Sequence, residues 1–171
     1  PYGKPVQKLL KDAEPLKIDM ICPSHGLIWR RKEDIEKIIS LYSKWANYET
    51  DPKTLIIYDT MWHSTEMMAK KIYELIDREG IPVQLMDLQT SDISDVVTEV
   101  LDSRMNIFGT PILNNRMLPT MAALLMYLKG LKPANRYAMA FGSYGWANVG
   151  FKEVEQSLKD AGFKLLPDNK Y

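Results

Sequence analysis

The feature that most constrains this chain is a regular alternation that sets in at residue 54. Short, almost wholly apolar runs alternate with longer segments whose apolar residues recur at helical spacing. Residues 54–58 (Thr-Leu-Ile-Ile-Tyr) lack the polar/apolar alternation of a strand wetted on one side. They read as a strand buried on both faces, which is the signature of a parallel sheet. Further strands are predicted over residues 81–88, 106–108, 136–141 and, starting a fifth, 163–166. Helices are predicted between them.

The helix near 65–79 places Met68, Ile72, Leu75 and Ile76 on one side and ends at Gly80. The helix near 92–102 carries Ile93, Val96, Val97, Val100 and Leu101 as a stripe, with Ser91 as its N-cap. A third begins near Pro119 and stops at Gly130; a fourth spans 150–161 and ends at Gly162. Strand–helix alternation with right-handed crossovers gives a doubly wound α/β fold. The expected sheet is five-stranded and parallel, in the order 2-1-3-4-5.

Residues 1–50 fall outside this rhythm. They read as an N-terminal appendage: a helix near 4–13, a strand at 18–22, a polar loop, and a helix near 32–47. That last helix has Ile35, Ile38, Ile39, Tyr42 and Trp45 on one face. The boundary falls in a linker at 48–53, giving domains 1–50 and 51–171.

Composition narrows the function. Lys+Arg and Asp+Glu both number 22, so no basic excess points to nucleic acid or an anionic membrane. No apolar stretch reaches the roughly 20 residues of a membrane span. The single Cys22 excludes an internal disulfide and a cysteine-based metal site, and a reducing, cytoplasmic setting is the simple expectation.

Open parallel sheets take ligands beyond the carboxyl ends of their strands. Three loops leave in that direction: 59–65, 109–117 and 142–148. The first, with Thr60, Met61, Trp62, His63, Ser64 and Thr65, runs from a strand into a helix N-terminus and contains no Lys or Arg. Unsatisfied amides, the helix dipole and three hydroxyls there suit an anion such as a phosphate. Plain N-capping by Ser64 or Thr65 is the competing reading. The loop is neither a Walker loop nor a Gly-x-Gly-x-x-Gly turn.

The second loop, with Pro111, Ile112, Leu113, Asn114 and Asn115, has a backbone suited to line a planar ring; its two asparagines tolerate left-handed turns. It also reads as a simple turn into a helix. The third, with Ser143, Tyr144, Gly145 and Trp146, offers aromatics to flank a ring. No loop carries an acidic cluster, so a ligand that becomes more negative on reduction would be tolerated.

These three loops resemble, in order and spacing, the flavin loops of flavodiiron proteins (A-type flavoproteins), and the run from Met117 to Leu131 is also similar. Upstream, residues 21–26 with Trp29 and Arg30 resemble the last segment of a metallo-β-lactamase-like domain. The resemblance implies a flavodoxin-like domain that binds FMN through the fifteen residues just named. It relays electrons to a diiron site that reduces dioxygen to water or nitric oxide to nitrous oxide. The donor would be a reduced deazaflavin or a rubredoxin, and the assembly a head-to-tail homodimer.

His25 matches the family's last iron-ligand histidine, but one histidine cannot hold two irons. His25 and His63 are the only histidines, so the diiron centre is expected only in a full-length protein, and His25 here is a histidine in a polar loop. The resemblance also implies a closing helix beyond the fifth strand, so that within residues 1–171 the fifth strand is expected to be incomplete, with an exposed sheet edge. Two alternatives stay open: a free-standing flavodoxin-like electron carrier, and a phospho-receiver module using Asp59. The receiver chemistry wants an acidic cluster that no second loop supplies.

Overall fold

The computed structural model describes residues 2–166, which form two compact units, one up to Glu49 and one from Thr50 onward. The N-terminal unit holds two helices, α1 (Gly3–Ala13) and α2 (Lys32–Ala46). Gln7 Nε2 ties them by donating to the Ala46 carbonyl at 3.0 Å and to Asn47 Oδ1 at 2.8 Å. Ile35 and Ile38 are buried, whereas Tyr42, placed on the same face from its spacing, is exposed and meets Trp45 edge-on at 5.8 Å. The strand expected at 18–22 does not form. Only Ile21 pairs, antiparallel with Trp29. Asp19 interrupts the apolar run and Pro23 ends its supply of donors.

The second unit is built on a sheet whose strands are β1 (Asp51–Tyr58), β2 (Val83–Asp87), β3 (Ser103–Gly109), β6 (Tyr137–Phe141) and β7 (Lys164–Leu165). Two further strands, β4 (Ile112–Leu113) and β5 (Arg116–Met117), form a separate small hairpin. The large sheet is parallel throughout, in the order β2-β1-β3-β6-β7. This is the expected 2-1-3-4-5 arrangement once the hairpin is set aside. Helices α3 (Ser64–Arg78), α4 (Ile93–Asp102), α5 (Pro119–Leu131) and α6 (Val149–Asp160) make the crossovers.

Two cores result. Ile56, Tyr58 and Ile107 pack with Ala69 of α3 on one face. Leu55, Ile57 and Phe108 pack with α4, α5 and α6 on the other. Alternate side chains of β1 thus enter opposite cores, which is why residues 54–58 read as one continuous apolar run.

Several boundaries differ from the sequence reading. β1 starts at Asp51, inside the expected linker. Pro52 has no N–H to give, and the β1–β3 register shifts between Asp51 and Thr54. The buried face of α3 runs through Thr65, Ala69, Ile72 and Ile76, leaving Met68 and Leu75 exposed. Asp92, not Ser91, caps α4, accepting from Ser94 N at 2.7 Å. Helix α5 passes through Gly130, and the left-handed residue that ends it is Lys132 at φ 50°, just before Pro133. Among the described residues no helix is long and apolar enough to cross a membrane.

Burial pushes the Tyr58 phenol up to about 12, with the Asp87 and Glu66 carboxylates adding to the effect. A raised folded value means stability fully present below the ordinary tyrosine range and lost as pH climbs from about 10 towards 12. Tyr58→Phe is expected to remove about 1–2 kcal/mol of that alkaline loss, read as urea midpoints compared at about pH 9 and pH 11. Equal alkaline losses in both proteins would count against it.

Candidate functional site

The site lies where β1, β3 and β6 end. Each strand end is bonded to the next through main-chain groups. Asp59 N donates to Gly109 O (2.9 Å), Thr110 N to Phe141 O (3.1 Å), and Ile112 N to Ser143 O (2.8 Å). The approach is close enough that a Cβ on Gly142 would fall 1.9 Å from Thr110 O, a backbone atom that cannot step aside. The three loops predicted from the sequence therefore converge on one rim.

In the first loop, Thr60 and Thr65 are buried. Thr65 Oγ1 shares a 3.2 Å hydrogen bond with Ser143 Oγ, joining the first loop to the third. His63 takes the left-handed conformation (φ 64°) and is the N-cap of α3, yet no side chain caps that helix. N-capping by Ser64 or Thr65 is thus not what these hydroxyls do. The first-turn amides of α3 have no acceptor within the helix. The His63 ring is exposed and its Nδ1 lies 2.7 Å from Glu66 Oε2. Hydrogen bonds from Lys70, then from His63, hold the Glu66 carboxyl below the usual range.

The second loop is the β4–β5 hairpin. Asn114 and Asn115 at its tip both have positive φ (51° and 63°), the geometry of a two-residue type I′ turn. Pro111 is buried, Ile112 is half-buried and Leu113 is exposed. Arg116 grips Glu153 of α6 with two guanidinium nitrogens, which pins the hairpin and holds the Glu153 carboxyl down.

In the third loop Tyr144 packs edge-on against Phe151 at 6.3 Å, and Gly145 is exposed beside it. Trp146 stands fully in solvent (101 % exposed) and Trp62 nearly so (83 %). Met61 is also exposed. Both indoles sit on loops that leave this rim and have free faces.

A cavity of about 550 Å³ opens beside the first loop, lined by Asp59, Thr60, Met61, Trp62, Gln89, Leu118, Pro119 and Thr120. Thr60, Met61 and Trp62 are among the residues expected to touch a ligand; Asp59 is expected there only as a receiver carboxylate, Leu118, Pro119 and Thr120 only as part of the run 117–131, and Gln89 has no sequence signal. Asp59, only 2 % exposed, accepts from Thr60 N (2.7 Å), Gln89 Nε2 (2.8 Å) and Thr120 Oγ1. Gln89 also donates to the Thr60 carbonyl. By contrast, Thr60 Oγ1 is buried with no hydrogen-bond partner. A buried hydroxyl left unpaired costs free energy, and a ligand oxygen arriving there would satisfy it.

His25 is exposed in its loop, and among the described residues no group of three or more His, Cys, Asp or Glu side chains is placed to hold a metal ion.

Residues 56–168 match the flavodoxin family. Among relatives, the chain is 40% identical over 170 residues to a nitric oxide reductase of Moorella thermoacetica, covering 98% of this chain and 42% of that one. It is 41% identical over 153 residues to a coenzyme F420H(2) oxidase of Methanothermobacter thermautotrophicus, covering 88% and 37%. The rubredoxin oxygen:oxidoreductase structure from Desulfovibrio gigas superposes with a TM-score of 0.89 at 34% identity, covering 96% of this chain and 41% of that chain. The chain therefore spans about two fifths of the length of these relatives. On the match over residues 56–168 and the shared sheet, the chain belongs to the flavodoxin family, in the form carried by flavodiiron proteins.

Proposed function

We propose that this chain binds FMN and serves as the electron-relaying part of a flavodiiron oxidoreductase. The observation that carries the reading is the unpaired buried hydroxyl of Thr60 beside the uncapped start of α3. An oxyanion placed there would be met by the hydroxyls of Thr60, Ser64 and Thr65 and by the amides of residues 61–65. The absence of Lys and Arg from that loop keeps the cradle neutral. Met61, Trp62, residues 111–115 and residues 143–146 would border the isoalloxazine, with His63 outside it at the loop's exposed edge. FMN would supply the redox chemistry, taking up and releasing electrons singly or in pairs. The protein's part is to orient the group and shield one side of it from water.

Relatives named for nitric oxide reduction and F420H(2) oxidation support dioxygen or nitric oxide as the terminal acceptor. They and the rubredoxin-linked structure support a reduced deazaflavin or a rubredoxin as donor. Residues 1–50 would then be the tail of a metallo-β-lactamase-like domain, with His25 contributing to a diiron centre completed elsewhere in a longer, head-to-tail dimeric, cytoplasmic protein. A free-standing carrier is the second reading. A phospho-receiver is disfavoured because both Asp59 oxygens are already engaged by donors.

Titrating the purified chain with FMN and with riboflavin tests the proposal. The phosphate's charge-assisted bonds should make FMN bind about tenfold tighter or more. Equal affinity for the two would remove the phosphate cradle, and no binding of either would remove the flavin site.

A further inference from the structure

Asp59 is the one charged side chain lining the cavity, and it was not among the residues expected to touch the flavin. It is buried at the end of β1, immediately before the Thr60 hydroxyl. Three elements converge on it: its own loop through Thr60 N, the segment after β2 through Gln89, and the first turn of α5 through Thr120. Every one of these contacts is a donor, an arrangement that suits a carboxylate rather than a protonated acid. Neither Lys nor Arg lines the cavity, so the charge is met by dipoles and not by a counter-ion.

Two consequences follow for a flavin in the cradle. By accepting from the Thr60 amide, Asp59 holds the backbone of the very residue whose hydroxyl is left unpaired. Its charge also adds a fixed negative potential in a poorly screened place, opposing extra negative charge on the ligand. We propose that Asp59 is a positioning and potential-setting residue: held by Gln89 and Thr120, it lowers the two-electron potential of the bound flavin by disfavouring its anionic reduced form. This rests on the FMN reading above.

Asp59→Asn separates charge from shape. The amide oxygen keeps its bonds from Thr60 N and Gln89, and the amide nitrogen donates to Thr120 Oγ1, whose own proton is free to turn away. Thr120→Val does the reverse, keeping the charge and removing one of its donors.

The test is FMN titration followed by redox potentiometry on the parent chain and both variants. A parent chain that does not hold FMN overturns both the function and this inference before any variant is made. With FMN held, Asp59→Asn is expected to raise the two-electron midpoint by about 30 mV, a tenfold change in the ratio of affinities for reduced and oxidised flavin. An unmoved midpoint in a folded, FMN-loaded Asp59→Asn protein overturns the inference and leaves the FMN reading standing. Thr120→Val is expected to lower the midpoint, because the charge is less compensated. An unchanged or raised value there overturns the inference, and this arm decides alone if Asp59→Asn does not fold.

Discussion

Arg136→Ala is expected to destabilise the protein by about 3–5 kcal/mol, read as a shift of the urea unfolding midpoint. Arg136 precedes β6 and is fully buried (0 % exposed). Its guanidinium donates to the carbonyls of Val100, Leu101 and Ala134, with Nε to Val100 O at 2.9 Å. Val100 and Leu101 lie in the last turn of α4, where carbonyls have no donor from their own helix, and that turn has no basic residue of its own. Arg136 therefore supplies from another element both the missing donors and the cation that a helix C-terminus favours. Removing it leaves several buried carbonyls unpaired and a cavity the size of the side chain. Arg136→Lys should recover only part of the loss, since an ammonium cannot reproduce the planar fork. A cost below about 1 kcal/mol for the alanine variant would show that water satisfies those carbonyls and that the clamp is dispensable.

Trp146→Ala is expected to weaken FMN binding by about tenfold to a hundredfold while leaving the unfolding midpoint within about 0.5 kcal/mol of the parent. The two halves of the expectation come from one observation. An indole fully in solvent contributes no burial to the folded chain, so its removal should be almost silent in stability. The same indole, on a loop bonded to the candidate rim, has a free face on which a planar ring can stack. Flavin fluorescence quenching would give the affinity, and chemical denaturation the stability. Unchanged affinity would place the ring elsewhere and remove the third loop from the site. A large stability loss would mean that the indole packs in solution.

Where the sequence could be read, a local pattern mirrored a local cause. Residues 54–58 betrayed a central strand because each side chain enters one of two cores. Asn114 and Asn115 announced a left-handed turn because both are residues that accept positive φ at low cost. Gly80 and Gly162 take positive φ just beyond helices α3 and α6, as their positions suggested. Errors arose where the cause lay far along the chain. Met68 and Leu75 fit a helical stripe as well as Thr65 and Ala69 do, and only packing on Ile56 and Ile107 selects between them. The segment at 18–22 is apolar enough for a strand, but a strand needs a neighbour, and Ile21 finds only Trp29. In the site, the hydroxyl-rich loop was visible, whereas the Asp59 clamp was not. Its partners stand 30 and 61 positions away; Gln89 sits in no pattern of its own, and Thr120 stands out only as part of the run from Met117 to Leu131.

The main-chain bonds that lace the ends of β1, β3 and β6 have a consequence for how such a protein diversifies. Peptide groups, common to every residue, set the spacing between the three turns, so the side chains they display can be exchanged without moving the frame. Grafting the turns of another flavin protein onto this rim should transplant its binding preferences, provided the residue at 142 stays glycine.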